Sequence, residues 1–244
     1  MPDCVYETCE EQAWENSSRG FCLFHSKNNV SDPGTARTVW DEAQRRAGDG
    51  ETDFSGWHFP GNRHGFLGTS FSGQPVFSNA VFDGDAGFLN TVFPDGAVFE
   101  RAFFRGEAGF GHAQFGGDAV FYRCAFNRAV MFGGADFSSE AYFTACSFRN
   151  GAGFGGAHFA GRADFSESSF RLKAVFEACR FENEVSFANV TFRNESSFVN
   201  TVALSFVNFE GAVFDGPPLF EGMALKRGRG AVTGLDSRIR DILP

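Results

Sequence analysis

A chain of 244 residues with 30 acids and 21 bases, net charge −9, is long enough for one large domain or two small ones and repels phosphate backbones in bulk. No apolar run approaches the roughly 20 residues that would span a bilayer, and the opening Met1-Pro2-Asp3 does not read as a signal peptide, so the expectation is a cytoplasmic protein without a membrane partner. Phe occurs 34 times against 3 Tyr and 3 Trp, and Gly 30 times, an imbalance that belongs to a repeat more than to an ordinary globular core.

Three of the six cysteines open the chain as Cys4-x4-Cys9-x12-Cys22-x2-His25. Residues 1–30 are too few to build a hydrophobic core. Thiolate and imidazole donors arranged as two close pairs suit tetrahedral zinc, and one ion held by Cys4, Cys9, Cys22 and His25 would pin both ends of a small loop. All four positions are then filled by protein donors, which makes the expected zinc structural and not catalytic. The alternative is that His25 is incidental and the thiols are free. Trp14, Phe21 and Phe24 are expected to pack around the site. Such modules often contact nucleic acid, but this one is acidic, with only Arg19 and Lys27 nearby, so direct DNA binding is disfavoured.

Residues 31–50 read as a helix and linker. Ser31-Asp32-Pro33 forms the start, Thr35 to Ala47 the body and Gly48-Asp49-Gly50 the stop. Val39, Trp40 and Ala43 share one face, which is expected to plug the open end of whatever follows.

From Phe66 to Phe198 runs an unbroken series of 25 phenylalanines whose spacing alternates between five and six residues, a true period of eleven. At about 100° per residue a helix would carry these rings around its axis instead of along one seam. In an extended segment, residues i and i−2 share a face. The small residue two before each Phe, as in Ala80, Ala113, Ala135, Ala157 and Ala163, therefore points inward beside the ring. Stacked coils need equivalent residues above one another. A coil of 22 residues with four short sides follows, its extra residues lying in corners that hold Gly73, Gly84, Gly106, Gly117, Asn150, Gly161, Asn183 and Asn194, which tolerate positive φ. Four rings meet at the axis of each coil, about 4.8 Å from the next set.

These units resemble the pentapeptide-repeat family, whose A-x-[LF]-x-x motif implies an all-β, right-handed quadrilateral β-helix, here over residues 51–225. The chain departs from the best-known members in using Phe almost throughout and in adding a residue to alternate units. The resemblance implies a non-enzymatic binding scaffold for a protein partner; some members resemble duplex DNA in size and charge and protect the topoisomerase DNA gyrase.

Cys124, Cys146 and Cys179 occupy the small inward position and are expected to be buried thiols in place of Ala. The seven-residue step from Phe59 to Phe66 marks an irregular first turn. After Phe198 the next large apolar residue is Leu204, which predicts a bulge near Thr201 to Phe206. The basic segment 226–244 places Leu235, Ile239 and Ile242 at helical spacing, as a capping or dimerising helix.

Outward positions read in steps of 22 give two rows. Arg105, Asn127, Arg149, Arg171 and Arg193 line one corner, where Glu107, Glu195 or an outside anion is needed to offset like charges; Asp118, Glu140, Arg162 and Glu184 lie opposite. Val76, Val98, Val120 and Tyr142 form an apolar row, to be covered by the N-terminal module or by a second protomer, with the homodimer preferred. No nucleophile with a base at motif spacing and no phosphate loop is present, so an enzyme is not expected. The rival function is a zinc-dependent nucleic-acid or anion binder using Arg105, Arg149, Arg171 and Arg193.

Overall fold

In the computed structural model the described residues are 4–6, 9–12, 22–27, 33–62, 65–236, 239, 241 and 243. From Asp53 onward the chain winds into a parallel β-solenoid of about eight turns, each side a two-residue strand. The sides stack into four sheets. Face I has eight strands, from His58–Phe59 to Val213–Phe214; face II has six, Ala86–Gly87 to Ser196–Ser197. Faces III and IV have seven each, beginning at Val92–Phe93 and Ala97–Val98. Register is 22 residues through the body of the rod, as in Ala125↔Ser147, Val130↔Ala152, Asp136↔His158 and Ala141↔Ala163.

The phenylalanines fill the axis as their spacing predicts. Rings one coil apart lie parallel, with Phe82 and Phe104 4.6 Å apart and Phe110 and Phe132 4.7 Å apart. Rings from faces II and IV meet edge to face, Phe110 standing 5.4 Å from Phe121 at 88°. Most of the axial phenylalanines thus have both geometries an aromatic quadrupole favours, whereas Phe126 is only stacked, on Phe104 and Phe148. Burying each side chain is worth roughly 1.5–3 kcal/mol before entropy is subtracted.

Left-handed backbone marks the five-residue corners; among the described six-residue steps between phenylalanines it occurs at Gly96, where φ is 81°. Asn79, Asn90, Arg101, His112, Arg123, Ala145, Glu167 and Ala178, each second after a Phe that begins a five-residue step, have φ between 52° and 62°. The tight corner needs the αL turn, and even Ala and Glu are held there at a cost of about 1–2 kcal/mol each. The glycines at the six-residue corners serve another purpose. A Cβ on Gly106 would lie 2.2 Å from the backbone of Gly84, and one on Gly84 2.7 Å from Gly61, so glycine is present there for close approach of stacked corners.

The seven-residue step adds one residue to the first turn, where His58 pairs with Val81 and Asp53 with Val76. The bulge expected near Thr201 to Phe206 does not occur. Val202–Ala203 pairs with Arg180–Phe181 at the regular 22, so Ala203 occupies the Phe slot and Leu204 points outward, half-buried. Conserved coil geometry, not ring size, fixes the register. Pairing also continues past residue 225, because Val232–Thr233 joins Val207–Asn208 after three extra residues. Beyond it Leu235 and Leu243 are buried, Ile239 packs on the core, and Ile242 of the expected helix lies outside the described residues.

Helix α1, Pro33–Asp49, starts and stops two residues outside the expected body. Its buried face is Val39, Trp40, Ala43 and Ala47. The Trp40 ring lies 5.2 Å from Phe59 and 5.3 Å from Phe66, while its Nε1 donates to Pro60 O at 3.0 Å. The helix therefore covers the first-coil aromatics that would otherwise form an open edge.

The inward small positions carry a feature that their residue types alone did not reveal. The hydroxyl or thiol of Thr91, Cys124, Cys146, Ser168, Cys179 and Thr201 each donates to the carbonyl of the Phe 25 residues earlier, for example Cys179 Sγ to Phe154 O at 3.0 Å. The three cysteines are free thiols. Burial pushes Cys124 well up and Cys179 up to about 12, so both stay protonated.

Candidate metal centre and outer faces

Cys4, Cys9, Cys22 and His25 converge, and their four donor atoms lie within 4.8 Å of one another. Cys4 Sγ stands 3.7 Å from His25 Nδ1, Cys22 Sγ 3.1 Å from the same nitrogen, and Cys9 Sγ 3.6 Å from Cys22 Sγ. A tetrahedral ion with about 2.3 Å bonds to sulfur and about 2.0 Å to nitrogen would set its donors about 3.5–3.8 Å apart. The cluster is close to that size.

The surroundings orient the donors. His25 Nε2 lies 2.9 Å from Ser55 O; a carbonyl can only accept a hydrogen bond, so Nε2 carries the proton and donates it in that bond, and the Nδ1 lone pair faces the sulfurs. Tyr6 stacks on the imidazole at 4.1 Å and 8°. The Cys22 amide donates to Cys4 Sγ at 3.1 Å. Burial foremost pushes the Cys9 and Cys22 thiols up and pulls His25 down. Three thiolates side by side there would need a cation, and a bound dication would supply that charge.

The centre is joined to the rod. Phe24, one residue before the imidazole ligand, stacks on Trp57 at 4.3 Å, and the His58 amide donates to Phe24 O at 2.7 Å. Arg46 of α1 lies 5.1 Å from the Trp57 ring and bonds Glu42 at 2.7 Å and Glu11 of the module at 3.0 Å. One guanidinium thus ties module, helix and first coil together. Trp14, Phe21 and Arg19, expected around the site, lie outside the described residues.

The outer rows have the expected vertical register, but their local partners differ. Arg105 pairs with Asp83 and Arg149 donates to Asn127 at 3.1 Å. Glu195, the expected neutraliser of the arginine corner, instead meets Lys173 at 2.7 Å. Among the described residues Arg171 and Arg193 have no salt-bridge partner, and both are exposed. Val76, Val98, Val120 and Tyr142 stack in one ladder on face IV and are half-buried, with the Tyr142 hydroxyl donating to Glu140. The described contacts of the N-terminal module are with α1 and residues 51–58, not with this ladder.

Face III holds a titratable ladder not singled out from sequence. His158 Nδ1 lies 3.0 Å from Asp136 and Nε2 3.2 Å from Glu182. The Asp136 carboxylate, ahead of the Glu182 carboxylate, raises the His158 pKa. A raised folded value means that this contact stabilises the protein below the ordinary histidine pKa of about 6.5 and is lost as pH rises through the folded one. In an NMR titration, Asp136→Asn is expected to move the His158 midpoint down; no movement would mean the ion pair does not form in solution.

Among the described residues no helix is long and apolar enough to cross a membrane. No curated protein and no solved structure matches the chain. A profile of pentapeptide repeats (9 copies) matches residues 66–114, 88–136, 121–169 and 176–223, together more than half of the chain. The ring ladder, the 22-residue coil and this match agree, and the chain belongs to the pentapeptide-repeat family.

Proposed function

We propose that this protein is a non-enzymatic scaffold that engages a protein partner through its long regular faces, with a structural zinc ion at Cys4, Cys9, Cys22 and His25 locking the N-terminal cap. Solenoids of this family are typically non-enzymatic scaffolds, commonly protein-interacting. The observation that carries the reading is the fixed 22-residue register, which holds outward side chains in straight ladders several coils long. The zinc assignment is supported by the donor set, its size and the Ser55 carbonyl behind His25.

The half-buried ladder Val76, Val98, Val120 and Tyr142 supports a homodimer. Val120→Asp is expected to turn a dimer into a monomer in sedimentation; an unchanged mass would remove this face from the assembly. A finer partner assignment is a topoisomerase such as gyrase, engaged by DNA mimicry. Asp118, Glu140 and Glu184 favour it, and the exposed Arg171 and Arg193 oppose it. The second reading, a nucleic-acid or anion binder, draws on the same two arginines with Arg149. Competition of the purified protein with duplex DNA for gyrase, beside a salt-titrated DNA-binding assay, separates them. The scaffold reading predicts no steep salt dependence of DNA binding, whereas a slope of several phosphates would favour the second.

A further inference from the structure

Face II is unlike the other three. Of the eight large apolar residues exposed among the described residues, Leu67, Leu89, Met131 and Leu219 lie in its two outward columns and Leu172 on its edge; Met131 is 58% exposed. The remaining outward positions in the middle of the face are largely glycine. Two depressions of about 400 Å³ result, one on each side of Met131 along the rod.

The fold does not demand glycine at 109, 133 or 155, although a Cβ on Gly111 or Gly153 would lie 3.0 Å from the Leu89 or Met131 side chain. Gly109 has an ordinary φ, and a Cβ there would meet nothing within 4 Å. At Gly133 and Gly155 the nearest atoms would be at 3.6 and 3.7 Å, ordinary contact, again without positive φ. Glycine weakens a strand, and where backbone conformation does not require it, it marks a place where another molecule approaches the sheet closely. An exposed apolar face of this kind is characteristic of an interface.

Charge selects the occupant. Along the edge where the chain enters face II stand Arg128, Arg149, Arg171 and Arg193, and Lys173 lines the depression between Met131 and Val175. Among the described residues Glu195 pairs with Lys173 and with none of these arginines. A nucleic acid would find an apolar floor beneath its phosphates and Asp85 and Glu107 beside the other depression, where contact would be repulsive. A polypeptide, unlike a uniformly charged phosphate backbone, can confine its carboxylates to the arginine side and lay uncharged aliphatic side chains in the depression beside Asp85 and Glu107, and so fits both features.

We propose that face II is the docking surface for an acidic amphipathic segment of a partner protein, its apolar side chains seated on either side of Met131 and its carboxylates on Arg149, Arg171 and Arg193. The inference rests on the scaffold reading and specifies which face is used and by what chemistry. Filling the glycine floor tests it without disturbing the core: Gly109→Gln places a side chain in open space and Gly155→Gln one at ordinary contact distance, and their unchanged or higher melting temperature verifies folding. A displayed library of random 16-residue peptides is selected on the immobilised full-length protein. Enriched sequences are expected to combine Asp or Glu with large aliphatics. They should bind the double glycine variant, and Arg149→Gln/Arg171→Gln/Arg193→Gln, at least tenfold more weakly. Basic peptides, or peptides indifferent to both variants, overturn this inference and leave the scaffold reading standing. Failure to enrich any peptide likewise overturns this inference, while the scaffold reading, which does not require a linear segment, stands. A dimer that dissociates on filling the floor assigns face II to a second copy, and a DNA duplex lost in the same variants assigns it to nucleic acid; either result also overturns the proposal.

Discussion

Replacing Phe132 by Ala is expected to lower stability by about 3–5 kcal/mol, the range for a buried aromatic. Phe132 is stacked on Phe110 at 4.7 Å and Phe154 at 5.0 Å, and meets Phe121 and Phe143 edge-on at 5.3 and 5.1 Å. Those four rings are themselves fixed by the coils above and below. Little of the gap can close, so the transfer term and the cavity term both apply. Ala203 shows that the coil register survives an alanine in a Phe slot near the end of the rod, where Leu225 lies on the following coil. In the middle the flanking stacks are complete, and the loss should appear directly in equilibrium denaturation. A change below about 1 kcal/mol would mean that the rings are not the main source of stability.

Cys22→Ser is expected to have the largest structural consequence. It removes the sulfur that lies against both Cys9 and His25, and with it the tight binding of one metal ion; structural zinc in small modules is worth about 10–16 kcal/mol of apparent binding energy at neutral pH. The loss travels along the chain because His25 bonds Ser55 and Phe24 stacks on Trp57. Fast amide exchange at His58 and concentration-dependent self-association through the uncovered first coil are the expected readouts. Cys179→Ser is the internal control, since a hydroxyl at this kind of position already makes the same bond from Ser168 to Phe143 O. It should leave metal content and association unchanged. If Cys22→Ser behaves like Cys179→Ser, the module is not held by a metal.

The coil was legible because one residue type, Phe, repeats with a period that no helix can bury on a single seam. The convergence of Cys4, Cys9, Cys22 and His25 was legible from spacing alone, since they stand where a core cannot form. What escaped has physical causes. The positive-φ corner takes Arg, Ala and Glu as well as Asn, so composition hides it, whereas glycine marks the close approach at Gly84 and Gly106. Leu204 looked like the next ring because size was read before register; Ala203 keeps the register through its backbone pairing. The clasp made by Arg46 joins residues from three segments, and no sequence spacing predicts that meeting. The inward hydroxyls could have been found: Thr91, Ser168 and Thr201 share the small position with the cysteines, and a polar atom buried there needs an acceptor.

Metal content and X-ray absorption of the full-length protein, purified without added zinc, test the account most directly. One zinc ion per chain is predicted, with three sulfur neighbours at about 2.3 Å and one nitrogen at about 2.0 Å. A preparation that is folded and cooperative with no stoichiometric metal, or a shell containing an oxygen in place of a sulfur, would contradict it.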